Sequence, residues 1–191
     1  MATSTKTNTN KAAIRALLEK AVIDAGVGRL SQQPNFEEKI LPQVMRDIAA
    51  VTGQQPQIRR AKESIAGFKI REGQIVGLRV TLRGRKMVDF FERLITIVLP
   101  RVRDFSGLEQ SVIDQGGTLN IGVRDQLVFP EINPEKSPIS FSLGASMVPK
   151  IRNHDKSVAA FKVLGVPIKK DEDGKKGASK GKGKRKVKKT K

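Results

Sequence analysis

The most regular hydrophobic pattern in the chain lies between residues 75 and 83. Val76, Leu78, Val80 and Leu82 alternate there with Ile75, Gly77, Arg79, Thr81 and Arg83. Alternation with a period of two is typical of a β-strand that has one face in a core and the other exposed. The second set is mostly polar and carries two arginines, so the pattern predicts a flat cationic surface on that face.

The segment before this strand is polar and basic. Residues 64–73 place Lys69 and Arg71 around Phe68 and Ile70, between two glycines. This composition predicts a long basic loop or the tip of a hairpin that leads into the strand. We interpret the whole stretch 64–84 as the region where a nucleic acid binds.

Apolar residues at helical spacing predict four helical regions. The first begins at Lys11, and the second covers 34–52 with a kink at Pro42 and a C-cap at Gly53. The third covers 85–99 and is stopped by Pro100, and the last runs from about residue 155 to 164. Further strands are predicted over 21–28, 57–65, 119–129 and 139–147.

These elements predict an α+β fold with two layers, in which helices cover one face of a largely antiparallel sheet. The other face of the sheet is left open toward RNA. We expect a disordered N-terminus over 1–10, a single domain over 11–168 and a disordered lysine-rich tail over 169–191.

The net charge of +18 predicts an anionic partner. The tail, with twelve basic and three acidic residues, carries +9, and the other 25 basic and 16 acidic residues carry a further +9. The domain is therefore basic without its tail.

Several classes of chemistry are excluded or unsupported. The chain has no cysteine, which excludes disulfides and thiolate metal sites. Its one histidine, His154, has no partners for a metal or catalytic site, and Asn153 or Asp155 is expected to cap the helix beside it. No segment has the features of a signal peptide or of a bilayer span. We expect a cytoplasmic protein that is not an enzyme and has no cofactor or metal.

The residues alone leave two interpretations of the basic strand face: a solvated surface or an RNA-binding surface. Sheet faces and loops suit RNA, and no segment resembles a recognition helix for a DNA major groove. A general nucleic-acid-binding protein or RNA chaperone remains the alternative function.

Five blocks of sequence closely resemble the L-five family, the bacterial large-subunit ribosomal protein that binds 5S rRNA. They are KESIAGFKIREG (62–73), LRVTLRG (78–84), FFERLITIVLPRVRDF (90–105), QLVFPEI (126–132) and LGVP (164–167). The resemblance covers roughly residues 20–168. It implies a structural protein of the central protuberance whose partners are 5S rRNA, 23S rRNA, the P-site tRNA and a protein of the small-subunit head.

The resemblance also implies two groups of contact residues. Polar positions that match Asp24, Gln54 and Thr81 contact 5S rRNA in the family, although Asp24 stands where the family usually has asparagine. The predicted 5S rRNA contacts are Asp24, Gln54, Lys62, Ser64, Arg79, Thr81 and Arg83. The predicted tRNA-contacting loop consists of Ala66, Gly67, Phe68, Lys69, Ile70, Arg71 and Gly73.

Overall fold

The structure is a computed structural model that describes residues 11–103 and 105–169. The predictions for residues 1–10 and for the tail after Lys169 lie outside this range. The chain forms, in order, α1 (residues 11–17), β1 (Leu18–Gly26), α2 (Leu41–Thr52), β2 (Gln57–Arg60), β3 (Ile75–Leu82), α3 (Gly84–Arg93), α4 (Leu99–Arg101), β4 (Leu119–Val123), β5 (Leu143–Pro149) and α5 (His154–Val163).

Within the described residues, the five strands form one antiparallel sheet in the order β2-β3-β1-β5-β4. The strands β1, β3, β4 and β5 each have one buried face, whereas on β2 only Ile58 is half-buried. On β4, for example, Leu119, Ile121 and Val123 are buried, whereas Asn120 and Gly122 are exposed. The predicted α+β fold with an antiparallel sheet is confirmed.

The longer helices pack on the buried face of the sheet and share one hydrophobic core with it. The rings of Phe90 and Phe91 on α3 are both buried. Phe90 stacks on Phe129 at 6.3 Å between ring centroids, and Phe91 lies 6.5 Å from Phe161 on α5. Asn153 caps α5 by accepting a hydrogen bond from the Lys156 amide. The opposite face of the sheet therefore remains open.

Two prolines lie inside helical segments because a π-turn precedes each of them. The Leu41 amide bonds to the Phe36 carbonyl just before Pro42, and the Leu99 amide bonds to the Leu94 carbonyl just before Pro100. The wider turn relieves the clash between a proline ring and the preceding turn. The prediction that Pro100 stops the helix is therefore wrong, since the helix continues through Arg101. At Pro42 the helical segment also continues, from a π-turn over Phe36–Ile40 into α2, and the kink there stays a prediction.

Four predicted strands have different limits in the structure. β1 begins at Leu18, earlier than predicted, and β2 ends at Arg60 instead of Ile65. β4 ends at Val123, and β5 starts at Leu143. The buried Gln126 side chain explains these last limits: it donates to the Ile139 carbonyl (2.7 Å) and accepts from the Phe141 amide (2.9 Å), replacing a strand partner.

The start of β3 also differs from its prediction. Arg59 pairs with Gly77, but Arg60 pairs with Ile75, so Val76 is an extra residue on β3. A bulge of this kind reverses the alternation locally. Ile75 is consequently in the core, with 4% exposure, and Val76 is only half-buried. Their assignment to faces was wrong, whereas the buried positions Leu78, Val80 and Leu82 are confirmed.

Candidate nucleic-acid interface

A row of residues crosses the open face of all five strands. The strand register aligns Gln57 with Arg79, Arg79 with Asp24, Asp24 with Gly144, and Gly144 with Gly122. Asp24 and Arg79 are direct cross-strand neighbours. The structure thus brings together two of the predicted 5S rRNA contacts that are far apart in the sequence.

A second row runs alongside the first and contains Thr81. Thr81 pairs with Val22, Val22 with Ser146, and Ser146 with Asn120. The Ser146 hydroxyl donates to Asn120 Oδ1 at 2.7 Å, so these two side chains present a fixed polar pair. This row carries groups that donate and accept hydrogen bonds without charge.

Four residues of the open face were missed from the sequence: Asn120, Gly122, Gly144 and Ser146. The alternation of Leu119, Ile121 and Val123 contained the signal for two of them, since residues between buried positions face the other way. Gly122 has no atom within 4 Å of the place where a Cβ would lie. At Gly122, another molecule can therefore approach the backbone closely.

The cationic end of the face lies on β2 and β3. Arg59, Arg79 and Arg83 are all exposed. Gln54 is exposed in the turn before β2, and because β2 and β3 are antiparallel, this turn runs toward the end of β3 that holds Thr81. Lys86 Nζ donates to the Gly53 carbonyl at 2.7 Å and fixes the turn to α3. Gln54 is therefore at the edge of the open face.

Residues 61–74 form a hairpin arm that extends from β2 and β3. Ala61 and Gly73 bond at the base of the arm, and the amides of Ile65 and Ile70 each bond to the carbonyl of the other. Lys62 and Ser64 belong to this arm, beyond the end of β2. The structure separates them from the sheet-face contacts with which they were grouped.

The tip of the arm is an exposed apolar surface with cations beside it. A short 3-10 turn covers Ala66–Phe68, and Lys69 follows in the left-handed conformation with φ +54°. The Phe68 side chain is 71% exposed and Ile65 is 48% exposed. Lys69 and Arg71 are exposed as well. An aromatic ring beside cations suits contact with a nucleotide, since bases stack on rings and phosphates bind cations.

The Gln74 side chain links the base of the arm to the segment after β1. Its Nε2 donates to Ser31 Oγ at 2.7 Å, and its Oε1 accepts from the Arg71 amide at 2.9 Å. Ser31 Oγ in turn donates to the Gly28 carbonyl. Gln32 Nε2 also reaches the Phe68 carbonyl at 3.4 Å. The segment after β1 therefore braces the arm at two levels.

The described residues offer no group of three or more metal-ligating side chains. His154 is on the surface, with Nδ1 3.0 Å from the carboxylate of Asp155. No helix in the described ranges is both long enough and apolar enough to span a bilayer.

Two family models match the chain. Residues 16–71 match the model described as "Ribosomal protein L5", and residues 75–168 match a second model, which describes the C-terminus of the same ribosomal protein family. The first match contains β1, β2 and most of the arm, and the second contains β3, β4 and β5. Together they include both parts of the interface.

Three relatives carry the name large ribosomal subunit protein uL5. The protein from Rubrobacter xylanophilus is 44% identical over 80% of this chain and 82% of its own length. Those from Fusobacterium nucleatum and Chlorobaculum tepidum are 42% and 40% identical, each over 80% of this chain and 81% of the relative. The prediction that the chain is not an enzyme is confirmed, since these relatives are structural ribosomal proteins. The chain belongs to the ribosomal protein L5 family of the large ribosomal subunit, the L-five family that its sequence blocks resemble.

Proposed function

We propose that the open face of the sheet binds 5S rRNA. The observation that carries this proposal is that Arg79 and its cross-strand neighbour Asp24 share the open face with Thr81, which lies in the adjacent row. Arg79 is exposed, and Asp24 and Thr81 are half-buried. Arginine supplies phosphate neutralisation, and the polar row through Thr81 supplies groups that set position. Gln54 and Arg83 extend the surface at its edge. Residues 11–168 form the rRNA-binding domain in this proposal.

The hairpin arm has a different ligand in this proposal. Its tip, residues 66–73, contacts the P-site tRNA, with Phe68 against the nucleotide surface and Lys69 and Arg71 on phosphates. Lys62 and Ser64 lie along the arm and contact the RNA that surrounds it. The remaining partners are 23S rRNA and a protein of the small-subunit head, as the family resemblance implies.

A binding comparison tests the 5S rRNA proposal. The purified full chain is titrated with a 5S rRNA transcript and with duplex DNA of equal length at physiological salt. We expect at least about a hundredfold tighter binding of the transcript, because specific contacts add to the shared electrostatic attraction. Equal affinities would favour the alternative, a general nucleic-acid-binding or chaperone function away from the ribosome.

Two charge reversals locate the binding surface. Arg79→Glu changes the open face, and Arg46→Glu changes an exposed residue of α2, in the helical layer. Both variants alter the net charge by the same amount, so their effects on long-range attraction match. We expect Arg79→Glu to weaken 5S rRNA binding about tenfold or more and Arg46→Glu to have a much smaller effect. Equal effects would show that the sheet face does not hold the RNA.

A further inference from the structure

The carboxylate of Asp24 leans over the neighbouring strand β5. Both of its oxygens are 3.1 Å from the position that a Cβ on Gly144 would occupy, and its Cγ is 3.3 Å from that position. The carboxylate therefore points across Gly144 and away from Arg79, which lies on the strand at the other side. Within the described residues, Asp24 makes no ion pair.

Asp24 forms one wall of an open groove of about 440 Å³ on the sheet face. Arg124 and Ser142 line the groove, and both are exposed. Its floor contains Gly122, where nothing lies within 4 Å of a Cβ position. A planar group can therefore lie directly on the backbone at Gly122, with one edge against the carboxylate.

The carboxylate decides which part of an RNA fits this groove. An ionised carboxylate only accepts hydrogen bonds, and it repels phosphate. Its ligand must present donors, and two oxygens directed the same way match two adjacent donors. Guanine has such a pair on its Watson–Crick edge, N1–H and the N2 amino group, whereas the other RNA bases present a single donor group there. Unpaired bases in RNA are commonly recognised on this edge.

We propose that the groove beside Asp24 binds an unpaired guanine base, with the Asp24 carboxylate accepting hydrogen bonds from N1 and N2. This site rests on the proposed binding of 5S rRNA to the open face. The base lies over Gly122, and the guanidinium of Arg124 is available to the acceptor atoms of the base or to its phosphate. Arg79, on the other side of Asp24, contacts the RNA backbone.

Inosine interference tests this site. 5S rRNA transcripts are made with inosine in place of a small fraction of the guanosines, so that each altered position lacks only the N2 amino group. Transcripts that bind the full chain are separated and mapped. For the unmodified chain, we expect inosine at one or a few positions to be depleted about tenfold from the bound fraction, because a hydrogen bond to a charged group is lost. Asp24→Ala should remove this depletion.

Two further variants complete the test. Gly122→Val fills the floor of the groove and should also remove the depletion. Glu19→Gln removes one negative charge from an exposed residue of the same strand and should leave the pattern unchanged. Identical interference patterns for the unmodified chain and Asp24→Ala would overturn the guanine site while leaving 5S rRNA binding intact. If the unmodified chain fails to bind the transcript, both the site and the proposed function are contradicted.

Discussion

Gln74 and Ser31 are joined by a 2.7 Å hydrogen bond that links the base of the arm to the segment after β1. The same Gln74 side chain also accepts from the Arg71 amide, so a single amide group holds both sides of this junction. The direction in which the arm leaves the sheet therefore depends on the Gln74 side chain, which lies at the base of the arm and not at its tip.

We expect Gln74→Ala to loosen the arm without unfolding the domain. Each hydrogen bond lost is worth about 1 kcal/mol, or about fivefold in the local opening equilibrium. Hydrogen exchange at the Ile65 and Ile70 amides should accelerate accordingly. Gln33→Ala, which changes a nearby exposed glutamine, is the control. Unchanged exchange in Gln74→Ala would show that the junction does not brace the arm.

One buried and one exposed phenylalanine should respond differently to alanine substitution. Phe91 is 1% exposed and packs against Phe161, so Phe91→Ala should lower the free energy of unfolding by about 3–5 kcal/mol. Phe68 is 71% exposed at the tip, so Phe68→Ala should change the free energy of unfolding by less than about 0.5 kcal/mol. Urea denaturation measures both. A large loss of stability in Phe68→Ala would mean that the tip packs against the domain.

Two glycines predict an equally sharp contrast. Gly117 has φ +82°, and a Cβ there would lie 3.0 Å from Cβ of Ser157 on α5. Gly117→Ala should therefore reduce stability by about 1–3 kcal/mol. Gly122→Ala enters open space on β4 and should be close to neutral. Thermal unfolding distinguishes the two variants. Similar melting temperatures would contradict the close approach of the turn at Gly117 to α5.

Truncation after Lys169 tests whether the tail contributes affinity without selectivity. The cut preserves the hydrogen bond from the Lys169 amide to the Leu108 carbonyl at 2.8 Å. We expect a shallower dependence of log Kd on log salt concentration, because fewer phosphate counterions are released. The ratio of 5S rRNA to duplex DNA affinity should be preserved. A collapse of that ratio would show that the tail takes part in recognition.

The sequence predicted the open face where local alternation was intact. The positions of Arg79 and Thr81 on the open face follow directly from the buried Leu78, Val80 and Leu82. The alternation assigned Ile75 to the wrong face of β3. The bulge that moves it depends on pairing with Arg60, a long-range contact that no local pattern contains. The same reason explains the late start of β5, where Ile139 and Phe141 bond to the side chain of Gln126.

The groove beside Asp24 could not be predicted for a related reason. Asp24, Gly122 and Gly144 come from three separate strands, and only the register of the sheet places them in one row. The family resemblance identified Asp24 as a departure from the usual asparagine, but the direction of its carboxylate depends on the absence of a side chain at Gly144. The three residues become neighbours only when the strands pair in this register.

The most direct test of the central assignment uses the absence of cysteine in the chain. A single cysteine introduced as Thr81→Cys carries a tethered iron chelate, and the labelled chain is assembled into large ribosomal subunits. Arg46→Cys, in the helical layer, is labelled in parallel as the control. Hydroxyl radicals generated at residue 81 should cleave 5S rRNA at a defined set of nucleotides that radicals from residue 46 leave intact. Cleavage of 5S rRNA from residue 46 but not from residue 81 would contradict the account.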